Sequence, residues 1–199
     1  MWSQFRPAAS LILLFTLVLG VAFPVALSGL FGAVLPYQAN GSLLRRDGKP
    51  IGSALIGQDF TGPEWFHARP SALTGTDPKD PAKTIPTPYD ARESGASNFA
   101  PTSAALVARV KAEAARLGSG TLPADAVTAS GSGLDPDISP EFAALQVARV
   151  AQARGLPVGQ VRGLVAAHTA GRWVGFIGEP RVNVLRLNLA LAGVAPAKP

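Results

Sequence analysis

A long apolar stretch near the start of the chain constrains its fold more than any other feature. No charged residue occurs between Arg6 and Arg45, and within this interval residues 8–35 are almost wholly apolar. As a helix, that stretch would be about 42 Å long, whereas a bilayer core needs only about 20 apolar residues. The sequence therefore predicts a short N-terminal segment at 1–7, a transmembrane helix at 8–35, and a soluble region at 36–199.

A cleaved signal peptide is the alternative to a retained helix. Arg6 supplies a basic residue before the apolar core, and the tripeptide at 26–28 resembles a small-x-small cleavage site. The apolar core of a signal peptide is only about 7–15 residues long, however, so the length of this stretch favours a retained helix. Small residues let membrane helices approach closely, and we therefore expect Gly20, Gly29 and Gly32 to contact a partner protein.

The charges that flank the apolar stretch leave its orientation open. Arg45, Arg46 and Lys49 follow it, against Arg6 before it, and a simple count places the C-terminal region inside the cell. Long domains, however, cross the membrane largely regardless of charge. Residue counting alone therefore does not decide which side the soluble region occupies.

The remaining composition excludes several classes of function. The chain has 199 residues and a formal net charge of +5, but its basic residues are scattered along the sequence. No basic stripe with interleaved aromatic residues is present, so nucleic-acid binding is not predicted. The sequence contains no cysteine, which excludes disulfides, thiol catalysis and thiolate metal sites.

The soluble region is predicted to be one small α+β domain. Short apolar pieces bounded by glycines indicate a hairpin within 41–58, and closely spaced prolines make 61–101 a loop-rich region. Loops of this length are usually functional surfaces or partly disordered segments. Two adjacent aromatic residues seldom stay in water, so we expect Trp65 and Phe66 to anchor this region and to contribute to a surface that binds a partner.

Helical spacing of apolar residues dominates the second half of the soluble region. Ser139 and Pro140 are typical of a helix start. Gly118 is expected to end one helix as a left-handed cap, and Gly155 is expected to end the next. Residues 181–191 fit both a strand and a helix, and the helix is favoured. The predicted helices are 101–117, 140–154 and 157–168, and the predicted strand is 126–129.

The loop at 128–140 is the strongest candidate for chemistry. It contains Ser130, Gly131, Ser132 and Gly133. A serine nucleophile needs a base at hydrogen-bond distance, and the sequence offers only His67 and His168 as imidazole bases. The nucleophile-elbow pattern G-x-S-x-G is absent. A membrane-anchored or secreted serine hydrolase that uses this loop is kept as the alternative function.

Phosphate and metal binding are weaker interpretations of the same loop. Its glycines offer backbone N–H groups, but there is no G-x-x-x-x-G-K-[ST] pattern and no lysine nearby. Asp135 and Asp137 lack the spacing of a calcium loop. A structural turn fits best, because glycines permit close backbone approach. The sequence therefore predicts no catalytic residue and no metal site.

Several motifs along the chain together indicate a known family. Each is weak by itself, but all occur in one order over nearly the whole length. They are GSALIGQ at 52–58, FHARPSA at 66–72, SGASN at 94–98, VTASGSGLDP at 127–136, QVARVAQAR at 146–154 and GEPRVNVLRLNLAL at 178–191. With these motifs the chain resembles the C subunits of the Kdp potassium-transporting P-type ATPases of bacteria.

The resemblance implies a non-catalytic accessory subunit of a high-affinity potassium pump. Such a subunit assembles and stabilises a complex with the potassium-translocating, ATP-hydrolysing and small peptide subunits. The resemblance also implies a single pass through the bacterial inner membrane, with the soluble domain on the outer, periplasmic face.

The family role includes action as a catalytic chaperone that raises ATP affinity. Because ATP is cytoplasmic, a domain on the outer face would act only through coupling to its partners. No firmly bound cofactor is expected. If ATP binds this chain, we expect the nucleotide at Ser130, Gly131, Ser132, Gly133 and Gln146.

Overall fold

The chain divides into two compact units in a computed structural model. The structure describes residues 2–118 and 120–194, apart from the side chain of Trp2. Residues 1–51 form the first unit and residues 52–199 the second. Residues 36–51, which the sequence analysis assigned to the soluble domain, therefore group with the N-terminal helix.

The first unit consists mainly of one long apolar helix. It spans Ser3–Val34, and its most apolar 18-residue window has a mean hydropathy of 2.5 and no buried residue. A π-helical turn immediately precedes Pro24, where proline removes a backbone donor and local helix adjustments are common. The elements are α1 Trp2–Leu17, the π turn Val18–Ala22, α2 Phe23–Val34 and α3 Pro36–Ala39.

A hairpin follows the long helix, as the sequence predicts for 41–58. Strands β1 (Leu43–Arg46) and β2 (Lys49–Ser53) pair in a two-stranded sheet. The connecting residues Asp47 and Gly48 both have positive φ, at 52° and 76°. Positive φ at both central positions is characteristic of tight hairpin turns whose twist matches that of the strands.

The proline-rich region 61–101 is not entirely loop. It contains a second antiparallel hairpin, formed by β3 (Thr74–Asp77) and β4 (Asp80–Pro86). Pro81 and Pro86 lie in β4, which pairs on one side only. Proline is tolerated in such a strand because the free edge needs no ladder donor.

The rest of the second unit is a helical layer with a small sheet, which confirms the α+β prediction. Strands β5, β6 and β7 pair antiparallel in the order β5-β7-β6. The elements are α4 Ala104–Leu117, α5 Ala124–Val127, β5 Asp137–Ile138, α6 Pro140–Arg154, α7 Val158–Ala167, β6 Thr169–Ala170, β7 Arg181–Asn183 and α8 Val184–Ala192.

Capping explains why α6 and α8 begin and end where they do. The Ser139 hydroxyl accepts from the Phe142 N–H, and the helix ends at Gly155, both as predicted; Gly155 adopts the left-handed conformation. Asn183 caps α8 by accepting from the Arg186 N–H. The favoured helical interpretation of 181–191 is therefore correct after a three-residue strand.

Three local predictions are wrong. Helix α4 begins at Ala104 rather than near Pro101, because the Ser103 hydroxyl caps it by accepting from the Ala105 N–H. Gly118 has φ of 96° but ψ of −171°, which is not a left-handed helical cap. Residues 126–127 are in helix α5 instead of a strand, so tertiary packing overrides the local β propensity of this segment.

The core of the second unit lies between α6, α7, α8 and the small sheet. Helix α6 buries Phe142, Val147 and Val150, and α8 contributes Leu187 and Leu191. The buried residues of α6 recur at helical spacing and therefore lie on one side of the helix. The segment at 66–73 completes the core with Phe66 and Leu73, which are 0% and 5% exposed.

Candidate functional site

The three glycines predicted to contact a partner lie on the exposed surface of the long helix. A Cβ atom built on Gly29 or Gly32 would meet no atom within 4 Å, and one built on Gly20 would meet only Thr16 Cγ2 at 4.0 Å. Gly29 and Gly32 are three residues apart and therefore neighbours on the helix surface. This surface has the shape that close packing of another membrane helix requires, and contact with a partner stays a prediction.

The serine loop is held by its own hydroxyl groups. Ser130 is 1% exposed, and its Oγ accepts from the Gly133 N–H at 3.0 Å and the Ser132 N–H at 3.3 Å. The Ser132 Oγ accepts from the Leu134 N–H at 3.1 Å. These three backbone donors are therefore already used inside the loop, and their hydrogen bonds favour a structural role.

Neighbouring segments pin the same loop from several sides. The Ser130 N–H donates to Pro70 O, and the Ser71 hydroxyl donates to Gly133 O, each at 2.9 Å. The Gly95 N–H donates to Ser132 O at 2.9 Å. The loop thus joins the 70–73 segment to the end of the proline-rich region.

Gly133 is required for this close approach. It has φ of 71°, and a Cβ atom built there would lie 2.5 Å from Leu73 Cγ and 3.0 Å from Gly95 O. By contrast, a Cβ atom on Gly131 meets nothing within 4 Å. The sequence interpretation of a tight turn therefore holds at Gly133 specifically.

An ion pair and a tyrosine extend the loop's connections. Arg69 Nη1 lies 2.9 Å from Asp135 Oδ2, and the Tyr89 hydroxyl donates to Arg69 O at 2.8 Å. Burial, followed by the charge of Asp135, raises the pKa of Tyr89, so this hydroxyl stays protonated and keeps donating. Asp137 pairs with Arg181 and accepts from Asn183. The two loop carboxylates are thus engaged with basic or amide groups.

The structure does not assemble a serine–histidine pair from the described residues. His67 Nε2 is 2.9 Å from Gly62 O, and His168 Nδ1 is 2.9 Å from Leu164 O. Neither imidazole hydrogen-bonds to Ser130 or Ser132, whose hydroxyls contact each other at 3.2 Å. The geometry that a hydrolytic nucleophile requires is therefore not formed here.

Gln146 is a clamp for the segment that contains the aromatic pair. Its Oε1 accepts from the His67 N–H at 2.7 Å, and its Nε2 donates to His67 O at 3.0 Å. Arg149 Nη2 donates to the same Oε1 at 2.7 Å. The side chain therefore pairs with one residue of the extended segment as a neighbouring strand would.

Asn188 forms the same two-bond clamp on the preceding residue, and sequence reasoning missed it. The Phe66 N–H donates to Asn188 Oδ1, and Asn188 Nδ2 donates to Phe66 O, both at 2.9 Å. Asn188 is 1% exposed. A polar residue among the leucines of α8 was the signal available in the sequence, because a buried polar residue must find partners.

The aromatic pair predicted to face a partner divides between core and surface. Phe66 is fully buried, so its side chain contributes to the core and is not available as a binding surface. Trp65 is half-buried, with the Arg154 guanidinium carbon 4.3 Å above its ring and Phe60 at a centroid distance of 5.9 Å. Only Trp65 remains a candidate for partner contact.

A cleft of about 630 Å³ opens beside this clamped segment. Gln146 lines it, whereas Ser130–Gly133 are not among its described lining residues, so the structure does not bring the two parts of the predicted nucleotide site into one pocket. Burial lowers the pKa of His67, which lines this cleft; the hydrogen bond to Gly62 O opposes the shift, and the charges of Arg149 and Arg116 add to it. The imidazole is therefore neutral at neutral pH.

Comparison with known proteins now assigns the chain to a family. Residues 5–193 match the model of the KdpC family, which is described as the c chain of K⁺-transporting ATPase. The match includes the apolar helix, both hairpins, the serine loop and the clamped segment. The chain belongs to the KdpC family.

Curated KdpC relatives align with the chain over almost its whole length. The Potassium-transporting ATPase KdpC subunit of Methylobacterium nodulans is 56% identical, over 98% of this chain and 99% of the relative. The proteins of the same name from Methylorubrum extorquens and Rhodopseudomonas palustris are each 52% identical, over 98% of this chain. They are covered over 99% and 100% of their own lengths.

Membership in the KdpC family gives the long helix a context. The chain is a subunit of a potassium-transporting ATPase, and residues 3–34 are long and apolar enough to cross a membrane. The motifs quoted in the sequence analysis coincide with contacts of the second unit. Phe66, His67, Ser130, Gln146 and Asn188 all lie in motif segments and take part in its hydrogen-bond framework.

Proposed function

We propose that the chain is a non-catalytic accessory subunit that assembles and stabilises an ATP-driven, high-affinity potassium-uptake pump. Its partners are the potassium-translocating, ATP-hydrolysing and small peptide subunits of that pump in the bacterial inner membrane. The observation that carries the proposal is the family match over residues 5–193 together with a single exposed apolar helix. Such a helix gains packing only from lipid or from other membrane helices.

The second unit supports a scaffolding role more than a catalytic one. The hydroxyls of Ser130 and Ser132 accept from backbone donors of their own loop. The clamp residues Gln146 and Asn188 hold an extended segment in place. Groups that are fully used in such bonds stabilise a shape, and a stable shape is what a docking subunit requires. The hydrolase alternative has no comparable support.

Helix packing through Gly29 gives the first test of this proposal. We expect Gly29→Leu to reduce strongly the amount of pump complex recovered, because the added side chain prevents the close helix approach that glycine permits. Phe31→Trp is the matched control. It also enlarges a side chain, but residue 31 lies about 200° around the helix from residue 29, so the side formed by Gly29 and Gly32 is left unchanged and we expect higher recovery than for Gly29→Leu.

The measurement is co-purification of the full chain from potassium-starved cells. The chain is tagged, extracted in mild detergent, and the channel-like and P-type ATPase subunits that elute with it are quantified against wild type. The apparent KM for ATP is measured on the same samples. Failure of wild type to co-elute with either subunit, with both present in the extract, would refute the assembly proposal. Equal recovery of Gly29→Leu and Phe31→Trp would refute this helix face as the contact.

We also propose that the second unit lies on the outer face of the inner membrane. The family resemblance supports this orientation, whereas the basic residues that follow the span oppose it in a simple count. From the outer face, an effect on the ATP affinity of the hydrolysing subunit is exerted by favouring one of its conformations. Direct nucleotide binding at Ser130–Gly133 and Gln146 would instead require the cytoplasmic face.

A cysteine introduced at Lys79 tests the orientation cleanly, because the natural chain has no cysteine. Lys79 is exposed in the turn between β3 and β4. We expect Lys79→Cys to react with a membrane-impermeant maleimide in spheroplasts, and the matched variant Ser3→Cys to react only after permeabilisation. The reverse pattern would place the second unit inside the cell and make direct ATP binding the better explanation.

A further inference from the structure

A short hairpin at 172–179 exposes four large apolar side chains together. Trp173, Val174, Phe176 and Ile177 are 72%, 65%, 75% and 46% exposed. We call these four residues the apolar tip. Single exposed apolar residues are ordinary on a protein surface, but a near-continuous run of them is a mark of a functional contact.

The apolar tip is a defined turn. The Trp173 N–H donates to Ile177 O at 2.8 Å, and the Ile177 N–H donates to Trp173 O at 2.9 Å. Arg172 and Glu179 form an ion pair of 2.6 Å at its base. The backbone of the hairpin is therefore closed by hydrogen bonds, and its four apolar side chains point away from the core.

The backbone of the turn carries strain at a β-branched residue. Val174 has φ of 50° and Gly175 has φ of 84°. Positive φ is a genuine outlier for valine, and asparagine or glycine would adopt it at lower cost. Strained positions of this kind concentrate at functional sites, so the apolar side chain at 174 is best explained by a contact outside the described chain.

We propose that the apolar tip inserts into the interfacial region of the phospholipid bilayer that the chain's own helix crosses. Tryptophan and other aromatic residues favour this region, because their rings are apolar with a polar or polarisable edge. Arg172 and Arg181 flank the tip in sequence and are 46% and 54% exposed. Because Arg172 is paired with Glu179 and Arg181 with Asp137, the apolar side chains, rather than net charge, carry the proposed contact.

The length of the connection makes this contact accessible. Residues 35–51 connect the apolar helix to the second unit; they form helix α3 and most of the β1–β2 hairpin, so their reach is shorter than the ~60 Å of a fully extended segment. A folded domain of this size has a radius of gyration of about 15 Å. A chain whose helix crosses a bilayer keeps lipid at a high local concentration for its other unit, and a weak insertion gains from that concentration.

Tryptophan fluorescence of the full chain, reconstituted alone into nanodiscs, tests the proposal. Trp2→Phe and Trp65→Phe together leave Trp173 as the only tryptophan. The nanodiscs contain zwitterionic and anionic phospholipids, with bromine on the acyl chains as the quencher. We expect Trp173 emission to be blue-shifted and strongly quenched by bromine near the headgroups, and less quenched by bromine near the bilayer centre.

Two variants in the same single-tryptophan chain separate insertion from misfolding. Val174→Asn and Phe176→Ser remove apolar groups, and asparagine suits the positive φ at 174, so the turn is retained. We expect several-fold less quenching of Trp173 in either variant. Val158→Asn, at an exposed valine of α7, is the control and should leave the quenching unchanged.

Each result decides the proposal. Unquenched, unshifted Trp173 emission, with the chain co-eluting with the nanodiscs, would overturn it. Emission that becomes protected only when the other pump subunits are added would also overturn it and would identify the tip as a protein-docking site. The first quenching measurement uses this chain alone, so a failure of pump assembly would not affect its result.

Discussion

Replacing Asn188 with leucine is expected to lower the free energy of unfolding of the second unit by roughly 2–5 kcal/mol. Asn188 makes both backbone hydrogen bonds of Phe66, each 2.9 Å long, in a buried site. Leucine has a similar volume but no polar atom. The Phe66 N–H and C=O would therefore remain buried without partners, which is more costly than the loss of an exposed hydrogen bond.

Urea denaturation of the full chain in detergent micelles measures this effect through the far-ultraviolet circular dichroism of the second unit. Gln152→Leu is the matched control, since it makes a comparable change at an exposed position of helix α6. We expect the transition midpoint to fall for Asn188→Leu and to stay within error for the control. Equal midpoints would contradict the role assigned to the clamp.

Gly133→Ala is expected to destabilise the second unit by roughly 2–4 kcal/mol, because it combines unfavourable positive φ with overpacking. The new methyl group would lie 2.5 Å from Leu73 Cγ and 3.0 Å from a backbone oxygen, that of Gly95. Leu73 is itself buried, and a backbone oxygen moves only with its whole segment. Relief of the clash would therefore disturb the hydrogen bonds that pin the serine loop.

Gly131→Ala is the control for this variant, two residues away in the same loop. Its methyl group would meet no atom within 4 Å, so the midpoint of unfolding should be nearly unchanged or slightly raised. Denaturation of both variants side by side gives the comparison. Similar stability of the two would argue that the loop is loosely held, and would restore interest in a ligand-binding role for it.

Much of the architecture could be predicted from the sequence because it depends on local chemistry. The charge-free apolar run at 8–35 indicates a long helix by length alone, and the structure has that helix at Ser3–Val34. Asp47-Gly48 suits a tight hairpin turn, and the Ser139-Pro140 start and Gly155 end of α6 follow from capping. Each of these features requires only residues that are adjacent or one turn apart.

Errors arose where distant segments compete with local preference. Residues 126–127 were predicted as strand and are helical, and the region 61–101 contains a hairpin that its prolines concealed. Phe66 was expected on a binding surface. Its side chain is buried instead, and its backbone hydrogen-bonds to Asn188, which lies 122 positions further along the chain. Such a pairing leaves no periodic signal in the sequence.

By itself, the sequence determined the apolar span, the α+β class, both ends of helix α6 and the family, because these depend on composition, short-range spacing and ordered motifs. Only the tertiary structure decided that the serine loop uses its donors internally, that Gly133 but not Gly131 has no room for a side chain, and that Trp173 to Ile177 stay outside the core. The physical reason is that burial and hydrogen-bond satisfaction depend on which segments meet. In this chain, the contacts that decide these features are between residues that lie tens of positions or more apart.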